Sequence, residues 1–357
     1  MMALRQFGLV PYMPVLSLRP AEMRALEELP DSTKNRILPI VHLRAWMSAQ
    51  ILASGLQRLR EAYGDRPVVV AVSDPEVVDK LRPVHQELDR LRVSDDGYRN
   101  WCNFINETEN FIPALQLRDP AHLIAQLQRF YALGRGVVVI VEREALSGLS
   151  AIAQAVRAHT QAGADVCFVI DLGRGYTDPL ERAAFVRGFC DLIWDACPLS
   201  AVSISASSFP ADFRNKTDQE IYERTLFNAV LPHTGGGGLI YSDRGSARFE
   251  RQRGGGGMPA PRIDYPLVGQ WKFFRSDLTG FQGYREQALL LVSNAAIFDP
   301  LLRIWGTQMI ERTAAGDSSA IKTPARSTAA RINLHLHRQA WFGDPIGLYD
   351  TEDDWED

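Results

Sequence analysis

The chain is 357 residues long, 46% hydrophobic and 23% charged, with 39 Lys and Arg against 43 Asp and Glu and a net charge of −4. These proportions suit a globular protein with a sizeable core and exclude a dedicated, strongly basic nucleic-acid binder, leaving room only for a local basic patch. No window reaches the roughly 18 consecutive apolar residues of a membrane helix, so no membrane partner is expected.

The opening MMALRQFGLVPYMPVLSL carries one arginine but no clean apolar stretch ending in a small-residue cleavage site. It reads as a first strand rather than a signal peptide, and a cytoplasmic location is expected. Short β-rich runs then recur at 9–18, 37–43, 67–74, 111–117, 136–144, 165–173, 199–209 and 238–245. Amphipathic stretches at 20–30, 47–63, 75–92, 119–134, 147–162, 177–196 and 217–231 separate them. The last of these opens TDQE, a capping-box pattern in which Thr217 accepts from the backbone and Glu220 reaches back. Four cysteines, Cys102, Cys167, Cys190 and Cys197, lack Cys-x-x-Cys spacing and read as buried, reduced thiols.

Strands this apolar, without strict alternation, belong to a sheet covered on both faces. Eight of them, each followed by a helix, predict an α/β fold of the (β/α)8 barrel type, a class that often exceeds the usual domain length. The alternative is an open doubly wound sheet, but the turn after its first strand would carry a glycine fingerprint, and here it reads SLRPAEMRAL. Beyond the eighth strand, PRIDYPLVGQWKFFRSD (261–277) reads as β-structure and helical stretches follow near 282–296 and 299–313. ARINLHLHRQAWF (330–342) alternates Ile332, Leu334 and Leu336 with Asn333, His335 and His337, the period of a strand. The expected organisation is a barrel at 1–257, an α+β elaboration packed on it at 258–343, and a solvated tail at 344–357. That tail holds seven acidic residues and no basic ones, which leaves +3 for the remainder.

In such a barrel the site lies at the carboxyl ends of the strands. That rule selects Ser17 and Arg19, His42 and Arg44, Asp74, Gln116, Glu142 and Glu144, Asp171, Ser205 to Ser208, and Asp243 and Arg244. Alternation along the seventh strand sets Val202, Ile204 and Ala206 on one face and Ser203, Ser205 and Ser207 on the other, toward the barrel axis. Glu142, Asp171 and Asp243 are the candidate catalytic groups, either as general acid and base or as oxygen ligands for a divalent metal such as Mg or Mn. Arg19, His42, Arg44, Ser205, Ser207, Ser208, Arg244 and Arg248 are candidate binding residues. Arginines and hydroxyls after strands seven and eight suit a phosphate. Arg251, Arg253 and the glycines 254–257 would give that loop the mobility of a lid. His335 and His337 would share a face if their segment is a strand, with a structural or substrate-contacting role favoured over a zinc site that lacks a third ligand.

YMPVLSLRPAEMRALEELPDSTKNRILPIVHL (12–43), SISASSFP (203–210), YSDRGSAR (241–248) and ARINLHLHRQAW (330–341) together resemble the phage beta protein family. Members commonly carry lysine where Arg19 stands, and Gly-Asp-Tyr-Gly where this chain reads Ser-Asp-Arg-Gly. The resemblance implies a phage or mobile-element setting and a role in phage–host conflict, with no settled activity. It marks Glu22, Ser208, Phe209, Pro210, Asp243, His337 and Arg338 as family-pattern positions, the last two adding to the candidate binding set. Two functions compete. One is an enzyme, or degenerate enzyme, that binds and hydrolyses a phosphate-bearing ligand such as a nucleotide or nucleic-acid end. The other is non-catalytic: a sensor whose pocket reads a ligand or a partner protein, or an assembly subunit of a phage-defence or phage-encoded multi-protein system.

Overall fold

The computed structural model describes residues 4, 6–234, 238–249 and 259–351. In chain order the first elements are β1 (Val15–Ser17), α1 (Pro20–Glu27), α2 (Asp31–Arg36), β2 (Ile40–Leu43), α3 (Leu52–Tyr63), β3 (Val68–Val72), α4 (Pro83–Leu91) and α5 (Asp95–Asn106). Next come β4 (Phe111–Pro113), α6 (Leu123–Ala132), β5 (Val137–Glu142), α7 (Leu149–His159), β6 (Val166–Arg174), α8 (Pro179–Ala196) and β7 (Ala201–Ser207). The chain continues with β8 (Asp218–Glu220), α9 (Tyr222–Val230), β9 (Leu239–Asp243), β10 (Arg262–Pro266) and β11 (Gln270–Arg275). It closes with α10 (Gly280–Val292), α11 (Trp305–Ala314), α12 (Pro324–Ala340) and α13 (Pro345–Tyr349). Glycines 254–257, Arg251 and Arg253, together with residues 352–357 of the acidic tail, lie outside the described residues.

Two compact units divide the chain. The first takes Met1–Arg19, Ile37–Ala206 and Glu223–Arg244. It is a mixed α/β unit with two four-stranded parallel sheets, ordered β1-β2-β3-β4 and β5-β6-β7-β9. Strands such as VVVAV at 68–72 and VVVIV at 137–141 lie buried along most of their length, as expected where both faces of a parallel sheet are covered. One apolar cluster draws on both sheets: Val15, Ile40, Val69 and Ile112 from the first, and Val138, Cys167, Ala201 and Ile240 from the second. Isolated parallel bridges join Ala114 to Val138 and Tyr12 to Tyr241. The helices are latched to the strands by buried donors: Trp101 Nε1 donates to Ala114 O at 3.0 Å and Tyr63 Oη to Ile37 O at 2.9 Å. Such bonds satisfy carbonyls that burial would otherwise leave costly.

The second unit takes Pro20–Arg36, Ser207–Tyr222 and Gly245–Asp357. A β10–β11 hairpin is extended by β8 into a three-stranded antiparallel sheet. The expected β-structure at 261–277 is therefore present, and α10 and α11 follow it. TDQE, however, does not cap a helix. Asp218–Glu220 pairs with β11, Gln219 opposite Trp271, and the helix begins only at Tyr222. Backbone ladder bonds outweigh a local capping motif here.

The larger correction is α12. Residues 330–342 do not form a strand; 324–340 are helical. Pro324 stands in its first turn and Thr323 Oγ1 accepts from Arg326 N at 3.3 Å, an N-cap. The helix is packed by α1, α11 and β10 and is buried at nearly every position from Ala329 to Ala340. Gly306 of α11 lies so close to it that an added Cβ would stand 2.6 Å from Leu334 Cγ and 2.8 Å from Ala330 O. Polar residues of α12 are consumed by packing. Asn333 donates to Ala25 O and Glu28 O, capping the end of α1, and accepts from Gly306 N.

His337 is held the same way, Nδ1 2.8 Å from Thr33 Oγ1 and Nε2 2.9 Å from Leu348 O. Burial pushes its pKa down to about 4, with the Leu348 carbonyl opposing that shift and the charge of Arg338 adding to it. An imidazole neutral in the fold but free to protonate when unfolded stabilises the protein above its unfolded pKa of about 6.5, and that contribution is lost as pH falls toward 4. Urea unfolding at pH 4 and pH 7 should therefore show the parent losing about 3 kcal/mol more than His337→Gln. An equal loss in both would remove His337 from the acid response.

Candidate functional site

The carboxyl ends of the first unit's strands hold most of the residues selected from sequence. Parallel pairing sets Glu142 of β5 beside Asp171 of β6. Asp171 Oδ1 accepts from Gly173 N at 2.9 Å, near the end of β6, and Oδ2 accepts from Arg244 Nη2 at 2.5 Å. The Asp171 side chain is 5% exposed and that of Arg244 20%. Glu142 reaches solvent, yet partial burial of its carboxyl, and then the negative charges of Asp171 and Asp74, push its pKa above the ordinary range; Arg244 opposes the shift. Among the described residues Glu142 has no ion-pair partner. Two carboxyls on adjacent strands thus differ: one is locked to a guanidinium, the other holds its proton more tightly.

Further round the strand ends, Arg44 pairs with Glu76 and Arg118 with Asp74. His42, half-buried, shares the parity of Ile40, which lies in the apolar cluster of the unit. Gln116 is engaged structurally: its side chain donates to Leu91 O, and its backbone exchanges two hydrogen bonds with the buried Gln126 amide. Arg19 stands exposed just past β1.

The serines follow the expected alternation. Ala201 belongs to the shared apolar cluster, so Ser203, Ser205 and Ser207 have its parity. Ser203 Oγ donates to Ile240 O at 3.1 Å. Ser205 Oγ is fully buried and has no hydrogen-bond partner among the described residues, an arrangement that costs free energy unless something accepts from it.

Asp243 does not join this group. Ile240 lies in the cluster, so Arg244 shares its face of β9 and Asp243 takes the opposite one. There, fully buried, Asp243 accepts from Tyr12 Oη at 2.5 Å and from Tyr241 Oη at 2.8 Å. Burial, and then the Asp243 charge, push both phenols well above their ordinary pKa, so they stay donors. Arg224 covers the Tyr241 ring at 3.2 Å from its centroid. Sequence reasoning did not find Tyr12, Tyr241 or Arg224; only the parity of Tyr241 with Asp243 carried a signal. Nor did it find Tyr176, whose ring is covered by Arg143 at 4.7 Å and Arg182 at 5.6 Å on the loop after β6.

The remaining candidates lie in the second unit. Ser207 Oγ donates to Ala247 O at 2.7 Å. Ser208 Oγ donates to Glu220 O and accepts from Tyr222 N, both at 3.1 Å. The Arg248 guanidinium is 5.0 Å from the Phe213 ring. His335 stacks on Trp271, and the helix turns it away from His337, which is embedded as described above. Arg338 Nη2 donates to Tyr265 Oη at 3.1 Å and lies 3.7 Å from Asp299. Among the described residues, no three His, Cys, Asp or Glu side chains gather to hold a metal ion, so Glu142, Asp171 and Asp243 do not form a shared metal site.

A family profile described as Beta protein matches residues 12–341. Protein beta of Enterobacteria phage P4 is 27% identical over 354 residues, covering 97% of this chain and 97% of that protein. The chain belongs to the Beta protein family. Among solved structures, the carboxyl transferase domain of Rhizobium etli pyruvate carboxylase with 3-bromopyruvate aligns at 9% identity and a TM-score of 0.35. That alignment covers 66% of this chain and 40% of the other. No described helix is long and apolar enough to cross a membrane.

The geometry sets two outcomes. In a carbon-13 NMR titration, Glu142 should titrate above an ordinary glutamate, move down in Asp171→Asn and move up in Arg244→Gln, since the first removes a negative and the second a positive neighbour. Reversed displacements would show that Glu142 does not sense this pair. Asp243→Ala should cost about 3 kcal/mol in urea unfolding, because two buried phenols lose their acceptor. A cost near zero would mean that the phenols find other acceptors.

Proposed function

We propose that this Beta-family protein binds a phosphate-bearing ligand, such as a nucleotide or a nucleic-acid end, at the strand ends of its first unit, with Glu142 as the proton-carrying group. The observation that carries the reading is the unequal carboxyl pair, Asp171 held by Arg244 and Glu142 without a cation. A carboxyl with a raised pKa donates to a phosphate or ester oxygen instead of repelling it. Arg44 and Arg244 supply guanidinium forks suited to a phosphate, and the Ser205 hydroxyl has a donor to offer.

We read the two parallel sheets as halves of one (β/α)8 barrel. The shared apolar cluster and the bridges at both pairs of sheet edges support this, and the carboxyl ends of such a barrel are where chemistry is carried. In the catalytic form of the reading, the oxygen of a water bonds to phosphorus and the ester P–O bond breaks. The leaving oxygen takes the proton of Glu142, and the proton released by water restores it.

A second, non-catalytic reading is favoured by one observation: Arg44 and Arg244 already hold carboxylates. A phosphate would exchange with Glu76 and Asp171 for those arginines, a rearrangement suited to sensing. The phage relative fits such a sensor in a phage-encoded or phage-defence assembly.

Native mass spectrometry of the purified protein, with inorganic phosphate and a nucleoside monophosphate as probes, separates the two. Expected is retention by the parent, at least tenfold weaker retention by Arg244→Gln, and undiminished retention without phosphate release by Glu142→Gln. Retention without release in the parent itself selects the sensor. No retention by the parent, or unchanged retention in Arg244→Gln, overturns both.

A further inference from the structure

The second unit carries a polar cluster of the opposite charge character. Phe209, Phe213, Ile221, Trp271 and Phe273 form a buried apolar group of their own. Its rings meet edge to face: Phe209 and Trp271 have centroids 5.3 Å apart and Phe213 and Phe273 5.0 Å. Guanidinium groups sit against this cluster. Arg331 lies 4.1 Å from the centroid of Phe209, Arg262 3.4 Å from that of Phe213, and Arg248 5.0 Å from the same ring.

Arg262 and Arg331 share one carboxylate. Asp264 accepts from Arg262 Nε at 2.5 Å and Nη2 at 2.9 Å, and from Arg331 Nη1 at 2.6 Å. The side chains of Asp264 and Arg331 are 1% and 6% exposed, whereas that of Arg262 is 22% exposed. One negative charge thus serves two guanidiniums in a nearly dry, aromatic-walled place. Arg331 is the more constrained of the two: its Nε is buried without a hydrogen-bond partner among the described residues. A core that used these arginines only for ion pairing would supply a carboxylate for each, because an uncompensated buried charge costs several kcal/mol. Aromatic faces offset part of that cost. They supply no hydrogen-bond acceptor for Nε.

We propose that the Arg262–Arg331–Asp264 cluster, walled by Phe209 and Phe213, is an anion site that takes a phosphate group. The guanidinium fork matches the spacing of phosphate oxygens, and a phosphate supplies both the missing negative charge and acceptors. Burial lowers the pKa of Arg331 to about 10, so it stays cationic at neutral pH. Arg262, partly exposed beside the buried pair, is the route by which an anion reaches it. The site is independent of the strand-end reading, since it draws on none of Glu142, Asp171 or Arg244.

Isothermal titration of the full chain with inorganic phosphate tests this. Arg262→Gln leaves the Arg331–Asp264 pair intact and should weaken phosphate binding at least tenfold, while Arg244→Gln leaves this binding event unchanged. A Arg331→Met/Asp264→Leu variant removes charges of both signs together, which keeps the fold from holding an unpaired carboxylate, and should abolish the event. Repeating the titration with a nucleoside monophosphate and a single-stranded oligonucleotide tells the source of the phosphate. Tighter binding of the oligonucleotide, lost in Arg262→Gln, assigns a nucleic-acid backbone; equal affinities assign a small phosphorylated molecule. No phosphate binding by the parent at millimolar concentration, or binding indifferent to Arg262→Gln, overturns the assignment.

Discussion

The arrangement of the first unit depends on a buried carboxylate. Asp243 accepts from Tyr12 and Tyr241, and those two tyrosines are also the residues bridged in parallel between β9 and the segment before β1. A charged group with no exposure persists only where hydrogen bonds replace its lost water, and two phenols with raised pKa values supply them. Side chains alternate along a strand, so pinning Asp243 to the outer face commits Arg244 to the inner one. There it meets Asp171. A structural requirement on one side of β9 therefore creates the ion pair on the other, and a one-residue slip would cost both.

Three arginines at the strand ends are each paired with a carboxylate. Arg44 has Glu76, Arg118 has Asp74, and Arg244 has Asp171. Of these only the Arg118–Asp74 pair is largely exposed, and such a pair contributes little to stability, about 0 to 1 kcal/mol; the Asp171–Arg244 pair includes the most deeply buried side chain of the three. Its value lies in what it does to Glu142, which feels the Asp171 charge across a parallel ladder while Arg244 is already committed. Proton affinity at Glu142 is thus set by partial burial, the neighbouring carboxylate and the guanidinium together. The proton-transfer role proposed for Glu142 rests on this balance.

Much of this was legible in sequence, and the misses have identifiable causes. Val-rich runs at 68–72 and 137–141 announced buried parallel strands, and the period-two serines of β7 were read on the correct face because Ala201 anchors that face in the core. Glu142, Asp171 and Arg244 emerged from the strand-end rule alone. Asp243 was grouped with Asp171 because sequence gives the parity of a strand but not which parity faces inward; Ile240 in the apolar cluster decides it. Residues 330–342 read as a strand because period two and period 3.6 diverge only when one side is polar and exposed. Helix α12 is enclosed by α1, α11 and β10, so Asn333, His335 and His337 are buried as fully as the leucines between them. Thr323 and Pro324, a cap and a first-turn proline, held the helical signal. TDQE failed for the converse reason: its local pattern was sound, but the β11 edge offered a ladder that the motif cannot foresee.

The two units differ in how they leave charge unbalanced. Among the described residues, a carboxyl at the strand ends of the first has no ion-pair partner, and in the second two guanidiniums divide one carboxylate among aromatic rings. Sequence composition conceals this, because a net charge of −4 is dominated by the acidic tail and says nothing of local surplus. Function belongs to such sites rather than to the fold that carries them. A proton-holding carboxyl suits an oxygen about to gain or share a proton, whereas desolvated guanidiniums suit an oxyanion that keeps its charge. Phosphate chemistry contains both demands, a leaving oxygen to be protonated and a charged group to be held. Under the two proposals, separate sets of residues would meet them, each anchored by packing that the rest of its unit requires.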